Sequence, residues 1–165
     1  MKILLCDGDN ACWRLMKVLP ELTTQGQSVQ VLYGMLRLLR GLLVQFEPNV
    51  VLVCWDRGRS KFRKQLYPEY KQNRDHESTH ELRKELRSMT KQKVLAQATL
   101  KMLNISSVSY PATEADDLLG VASQILPGEK IVVTSDQDIL QLVSSVFLCA
   151  LCGERFSVAR SIIPP

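Results

Sequence analysis

The chain has 165 residues, 45% hydrophobic and 23% charged, with a net charge of +4. That length suits one domain with a real core and is short for two, and the composition is too apolar for disorder. No apolar run reaches the roughly 20 residues that a membrane helix needs. Met1-Lys2 leads into a short strand with no small-residue cleavage site, so no signal peptide is read and a cytoplasmic location is expected.

Lys2-Ile3-Leu4-Leu5-Cys6 reads as a strand that runs into Asp7. A short helical or loop stretch follows, then a polar connection, Thr23-Thr24-Gln25-Gly26-Gln27. Over 28–46 the residues Val31, Leu32, Met35, Leu38, Leu39, Leu42 and Leu43 recur at three and four, which predicts a helix with a core-facing stripe. Phe46-Glu47-Pro48-Asn49 breaks it, and a strand over 50–55 runs into Asp56. Residues 57–75 are polar, basic and aromatic, without clear period. A long charged helix is predicted over about 77–103, with Val94, Leu95, Ala98, Met102 and Leu103 as its packing stripe. Its first half has almost nothing to bury, so residues 75–90 are expected to project from the body and to be mobile.

A short strand near 105–109 precedes Pro111. Thr113 is the predicted cap of a helix over 114–126, which Pro127-Gly128 ends. A strand over 130–134, a short helix over about 137–143 and a strand over 146–151 complete the pattern. This alternation predicts an α/β fold, a three-layer α/β/α sandwich on a mainly parallel sheet with right-handed crossovers.

Five cysteines, an odd number, suggest no disulfide framework. Cys6 and Cys54 lie in strand-like runs and read as small buried hydrophobes. Cys149 and Cys152 form a single C-x-x-C without a second pair or histidines, which is weak evidence for zinc.

Seven carboxylates carry the chemistry. Asp7, Asp56 and Asp136 end three strand-like runs, Asp138 lies two residues on, and Glu114, Asp116 and Asp117 open a helix. In an open parallel sheet, ligands gather at the carboxyl ends of the strands. Acids brought together there repel one another unless cations neutralise them, so a bound divalent metal is predicted. Helix capping accounts for some of the Glu114–Asp117 group. Glu114 and Asp117 share a helix face and Asp116 points elsewhere, which makes at least one of the three structural. Gly8 is read as permitting close approach of a ligand to the backbone.

From Arg57 to Lys93 there are twelve Lys and Arg against five Asp and Glu, a local balance of +7 that leaves −3 for the rest. Cations interleaved with Tyr67 and Tyr70 have the composition of a single-strand nucleic-acid contact surface. A basic segment beside an acidic cluster fits a polyanion held by one and cut with metal held by the other.

Five motifs occur in order. They are Asp7-Gly8-x-Asn10-x-x-x-Arg14, then Trp55-Asp56, then Phe62-Arg63-Lys64-x-Leu66-Tyr67-Pro68-x-Tyr70-Lys71-x-Asn73-Arg74, then Glu114-Ala115-Asp116-Asp117, then Thr134-Ser135-Asp136-x-Asp138-Ile139-Leu140-Gln141-Leu142. The series resembles the N-terminal catalytic region of the 5′ nuclease and flap endonuclease family, whose fold is PIN-like. It is nearest the 5′–3′ exonuclease domain of bacterial DNA polymerase I and its phage relatives.

The resemblance implies hydrolysis of DNA with a 5′ single-stranded end or flap. Asp7, Asp56, Glu114, Asp116, Asp117, Asp136 and Asp138 would be metal-site acids holding Mg²⁺ or Mn²⁺, two ions in all. Lys71 and Arg74 match the basic residues that grip the scissile phosphate at the foot of a helical arch, here about 71–93. The nucleic-acid contacts read from it are Arg14, Arg63, Lys64, Tyr70, Lys71, Arg74, Arg83 and Lys84. His76 and His80 receive no role.

The family continues with a Gly-Asp-x-x-Asp stretch carrying two further acids and a helix–hairpin–helix-like duplex-binding module. Neither is read here, so the second metal position is expected to be short of ligands. Two alternatives stay open: a nucleic-acid-binding domain of the same fold that is catalytically impaired or inactive, and a PIN-like ribonuclease. Expected partners are DNA, with RNA, a polymerase or a separate duplex-binding domain as further candidates.

Overall fold

The computed structural model describes residues 1–58, 60–67, 80–136, 138–139, 147–150 and 157–159. In chain order the elements are β1 (Lys2–Asp7), α1 (Gly8–Val18), β2 (Thr23–Thr24), β3 (Gln27–Ser28), α2 (Gln30–Phe46), β4 (Val50–Cys54) and α3 (Lys61–Leu66). They continue with α4 (His80–Met102), β5 (Ser106–Val108), α5 (Ala115–Ile125), β6 (Glu129–Thr134), β7 (Phe147–Ala150) and β8 (Ser157–Ala159). Among the described residues no helix is long and apolar enough to cross a membrane.

Six strands form one sheet in the order β5-β4-β1-β6-β7-β8, parallel throughout except for the antiparallel β8 at one edge. β1 is central because its apolar run has two faces to bury. Leu4 and Cys6 join Val53, Ile131 and Val133 under α1, α2 and α4, while Ile3 and Leu5 join Cys54 and Val132 under α5. A strand covered on both faces reads as a continuous hydrophobic run, as this one does. The α/β/α expectation therefore holds, and Cys6 and Cys54 are fully buried as expected.

The helix predicted over 28–46 is α2, and its stripe packs on the sheet except for Leu43, which is exposed. It ends on Glu47 in the left-handed conformation before Pro48, and the Lys2 ammonium donates to the Phe46 carbonyl at 2.8 Å. After Asp7 the helical alternative is the one realised, while α3, the hairpin β2–β3 and the edge strand β8 were not read from the sequence. The stretch after Asp7 is a full eleven-residue helix, α1. Residues 57–75 contain α3, capped by the Ser60 hydroxyl accepting from the Arg63 N–H at 3.3 Å. The polar connection is the hairpin β2–β3, turned by Gln25 and Gly26 at φ 50° and 73°, the positive pair a type I′ turn needs.

The packing stripe predicted for α4 is on the wrong side. Val94 is 59% exposed, Met102 is 85% exposed, and Ala98 and Leu103 are exposed as well. The buried face is Met89, Gln92, Ala96 and Leu100. Gln92 is the reason: α2 has no side-chain cap of its own, and the Gln92 side-chain oxygen accepts the Val31 N–H at 2.9 Å. A polar residue thereby occupies the centre of the core-facing stripe. The first turns of α4 are mostly exposed, as expected, yet they are tied to the body where Lys17 of α1 meets Glu85 at 2.7 Å.

Candidate active site

Parallel pairing brings the ends of β1, β4 and β6 to one edge of the sheet, and the N-terminus of α5 reaches the same edge. Asp7 ends β1 and also caps α1, accepting the Asn10 N–H at 3.0 Å. Its other oxygen accepts the Thr134 hydroxyl at 3.3 Å. Asn10 in turn accepts from the Ser135 N–H and hydroxyl at 2.9 and 2.7 Å, which fixes the turn leading to Asp136. Asp56 follows β4, and its carboxylate accepts the Ala115 N–H at 2.6 Å, at the positive end of the α5 dipole. The true cap of α5 is Glu114 rather than Thr113. The Thr113 hydroxyl donates back to the Pro111 carbonyl instead, and the Asp117 carboxylate accepts the Glu114 N–H at 3.4 Å.

Like charges in a half-dry setting perturb one another. Burial pushes the Asp7 carboxyl up to about 7, with Asp116, Asp56 and Asp9 adding to the rise and the Asn10 hydrogen bond opposing it. Burial and then Asp136 raise Asp116 to about 6, against the pull of Arg63. Asp56 is raised as well, by burial first, while the Ala115 N–H and Lys93 pull it down. Asp7, Asp56, Asp116 and Asp136 thus form one electrostatic unit.

Glu114 and Asp117 are both claimed by Arg63, which meets them at 3.2 and 2.8 Å, although Glu114 still adds to the rise of Asp56 and Asp116. This agrees with the expectation that Glu114 and Asp117 share one face of α5 while Asp116 points elsewhere, and it is Asp116 that lies among the strand-end acids. Arg63, expected on the phosphate side, bridges carboxylates. Asp138 is exposed, and its N–H donates to Asp136 at 2.9 Å. Among the described residues no three His, Cys, Asp or Glu converge tightly enough to hold a metal ion.

Gly8 has a different task from the one predicted. A Cβ there would stand 2.6 Å from the Trp55 ring, so the glycine admits an indole rather than a ligand. The indole N–H donates to the Ser107 hydroxyl at 3.3 Å.

Two residues were missed. Asp9, buried on α1, accepts the Asp56 N–H at 2.7 Å, and Lys93 of α4 meets the other Asp9 oxygen at 2.6 Å. A charge in the first helical turn and one lysine among many gave no sign that they would meet across 84 residues.

Of the remaining expected contacts, Arg14 is half-buried on α1, and Arg83 and Lys84 are exposed on α4. Tyr70, Lys71 and Arg74 lie outside the described residues, as do the side chains of Phe62, Lys64 and Cys149, all of Cys152 and most of the short helix expected over 137–143.

The family described as 5′-3′ exonuclease, N-terminal resolvase-like domain, matches residues 2–160. DNA polymerase I of Mycobacterium tuberculosis is 34% identical over 148 residues, 86% of this chain and 16% of that protein. A 5′-3′ exonuclease of Buchnera aphidicola is 33% identical over 125 residues, 73% of this chain and 41% of that protein. Among solved structures, the bacteriophage T5 5′-exonuclease with bound zinc superposes with a TM-score of 0.79 at 19% identity, over 95% of this chain and 58% of that one. A T5 flap endonuclease in a pseudo-enzyme–product complex with DNA and metal ions gives 0.78 at 19% identity, over 94% and 57%. The chain thus spans 16% of the polymerase it matches and just over half of the phage nucleases.

Proposed function

Because this chain belongs to the family of 5′–3′ exonuclease N-terminal resolvase-like domains, we propose that it is the catalytic domain of a metal-dependent 5′ nuclease. Its substrate is DNA with a 5′ single-stranded end or flap. The observation that carries the reading is the gathering of Asp7, Asp56 and Asp116 at one sheet edge, where Asp56 is fixed by the Ala115 N–H and Asp7 by Asn10 and Thr134. All three are raised, chiefly by burial with nearby acids adding to it, and acids so placed favour a bound cation.

The donor set suits a hard ion, being all carboxylate with no thiolate or imidazole. Asp7, Asp56, Asp116 and Asp136 are proposed to close in on it, since no three of the described acids stand tightly enough to hold an ion as they are, with Glu114, Asp117 and Asp138 in reserve. We read the ion as Mg²⁺ or Mn²⁺ and the number as two, the second on fewer ligands. Bound there, a divalent cation activates water and offsets charge on a phosphodiester.

The chain's own residues set the geometry for that. Asn10 and Thr134 aim the two oxygens of Asp7, and the Ala115 N–H fixes Asp56. Arg63 keeps Glu114 and Asp117 neutralised until substrate charge competes for its guanidinium. Lys71 and Arg74 are proposed to grip the scissile phosphate, and Arg14, Lys64, Tyr70, Arg83 and Lys84 to guide the strand along the arch at 71–93. Residues 1–165 are proposed as one catalytic domain, with a duplex-binding module or a polymerase as its candidate partners. The relatives' polymerase context favours DNA over RNA.

The test is cleavage of a 5′-labelled DNA flap by the purified chain in Mg²⁺ or Mn²⁺. Product that appears with the wild-type chain and vanishes with Asp56→Ala supports the proposal. Binding of the flap without cleavage in either metal would establish the binding-only alternative, and preferential cleavage of an RNA flap would establish the ribonuclease.

A further inference from the structure

The pair formed by Asp9 and Lys93 has no part in the reading above, yet it encloses the backbone of Asp56. Asp9 accepts the Asp56 N–H at 2.7 Å, and the Lys93 ammonium donates to the Asp56 carbonyl at 3.1 Å. The two are joined at 2.6 Å, with side chains only 15% and 13% exposed. The Lys93 ammonium also lies over the Trp55 ring, 5.6 Å from its centroid. The two peptide units that flank the Asp56 Cα are therefore gripped, the first at its N–H from α1 and the second at its carbonyl from α4. With the carboxylate on the Ala115 N–H, Asp56 is anchored at three points.

Charge alone does not explain a lysine in this place. An ammonium beside a cation site repels the cation, and half-buried charges are costly unless their geometry repays them. We propose that Lys93 and Asp9 are positioning residues for the proposed metal site, fixing Asp56 so that α4 and the acidic edge move as one body. The inference rests on the metal reading given above. It makes a prediction opposite in sign to simple electrostatics: removing the lysine charge weakens cation binding.

The experiment uses Lys93→Met, which keeps the aliphatic stem on Trp55 and removes the ammonium. Mn²⁺ affinity of the full chain is measured by electron paramagnetic resonance, with thermal unfolding as a control. Loss of a residue that orients a ligand costs about tenfold in metal affinity, so Lys93→Met should lose that much while Lys93→Arg stays within about threefold. The Asp56 and Ala115 amide resonances should shift in the methionine variant. If Lys93→Met fails to fold, the double variant Asp9→Asn with Lys93→Met, which leaves no unpaired acid, should show the same tenfold loss. Mn²⁺ affinity equal to or tighter than wild type in a folded variant, with the two amides unmoved, overturns the proposal. A wild-type chain that binds no Mn²⁺ sinks the metal reading instead, and the two amide shifts then decide whether the pair positions Asp56.

Discussion

Replacing Asp7 by asparagine should stabilise the folded chain at alkaline pH and leave it nearly unchanged near pH 3. Asp7 is 3% exposed, and its carboxyl titrates at about 7 instead of 3.8. Between those values the folded chain keeps a proton that the unfolded chain has released. Stability therefore falls as pH rises from about 4 to about 7, and the full penalty is present above 7. The gap between 3.8 and about 7 corresponds to a ceiling near 4 kcal/mol. Water entry and local relaxation reduce that to about 2 kcal/mol. Asparagine keeps an oxygen for the Asn10 N–H, so the α1 cap survives and the comparison isolates ionisation. Urea unfolding followed by tryptophan fluorescence, with chelator present, should give Asp7→Asn an advantage of about 2 kcal/mol near pH 8 and about none near pH 3. An advantage of the same size at both values, or its absence at pH 8, would refute the reasoning.

Arg63→Met takes a guanidinium away from Glu114, whose side chain is only 5% exposed. With Arg63 itself about a third exposed, the loss should be about 2 kcal/mol in denaturant unfolding, less than for a fully buried pair. Gly8→Ala drives a methyl into the Trp55 ring and should cost about 2 kcal/mol, with a change in tryptophan emission that Gly26→Ala does not cause. The Cys12 and Cys54 thiols are pushed up to about 12, chiefly by burial, so alkylation mapped by mass spectrometry should reach them only after unfolding.

The layers were legible because the central strands are apolar on both faces and α2 carries its stripe without interruption. The site's location followed from the same runs, since a parallel sheet sends every strand-end acid to one edge. The face of α4 was not legible. Val94, Ala98 and Met102 make a better apolar stripe than Met89, Gln92, Ala96 and Leu100, and only the bare N-terminus of α2 explains why glutamine goes inside. The division of labour within Glu114–Asp117 was hidden for a related reason. Helix spacing says which acids share a face, but the arginine that claims that face comes from α3, some fifty residues earlier. Asp9 and Lys93 escaped notice because two ordinary surface residue types become a site only by long-range pairing.

The position of β1 at the centre of the sheet also sets a schedule for synthesis. Its first partner, β4, begins at Val50, but its second is far away: Thr134 must be made before its hydroxyl can reach Asp7, 127 positions back. At about 5–20 residues per second, that interval lasts on the order of 6–25 seconds. Throughout it, one long edge of the strand that emerges first has no neighbour, and Asp7 lacks Asp136 beside it. The growing chain therefore cannot display an assembled acidic edge to nearby nucleic acid until β6 has left the ribosome. Its greatest exposure to misassociation falls in the same window, so slowing translation just before β6 should lower the yield of soluble protein more than an equal pause after β7.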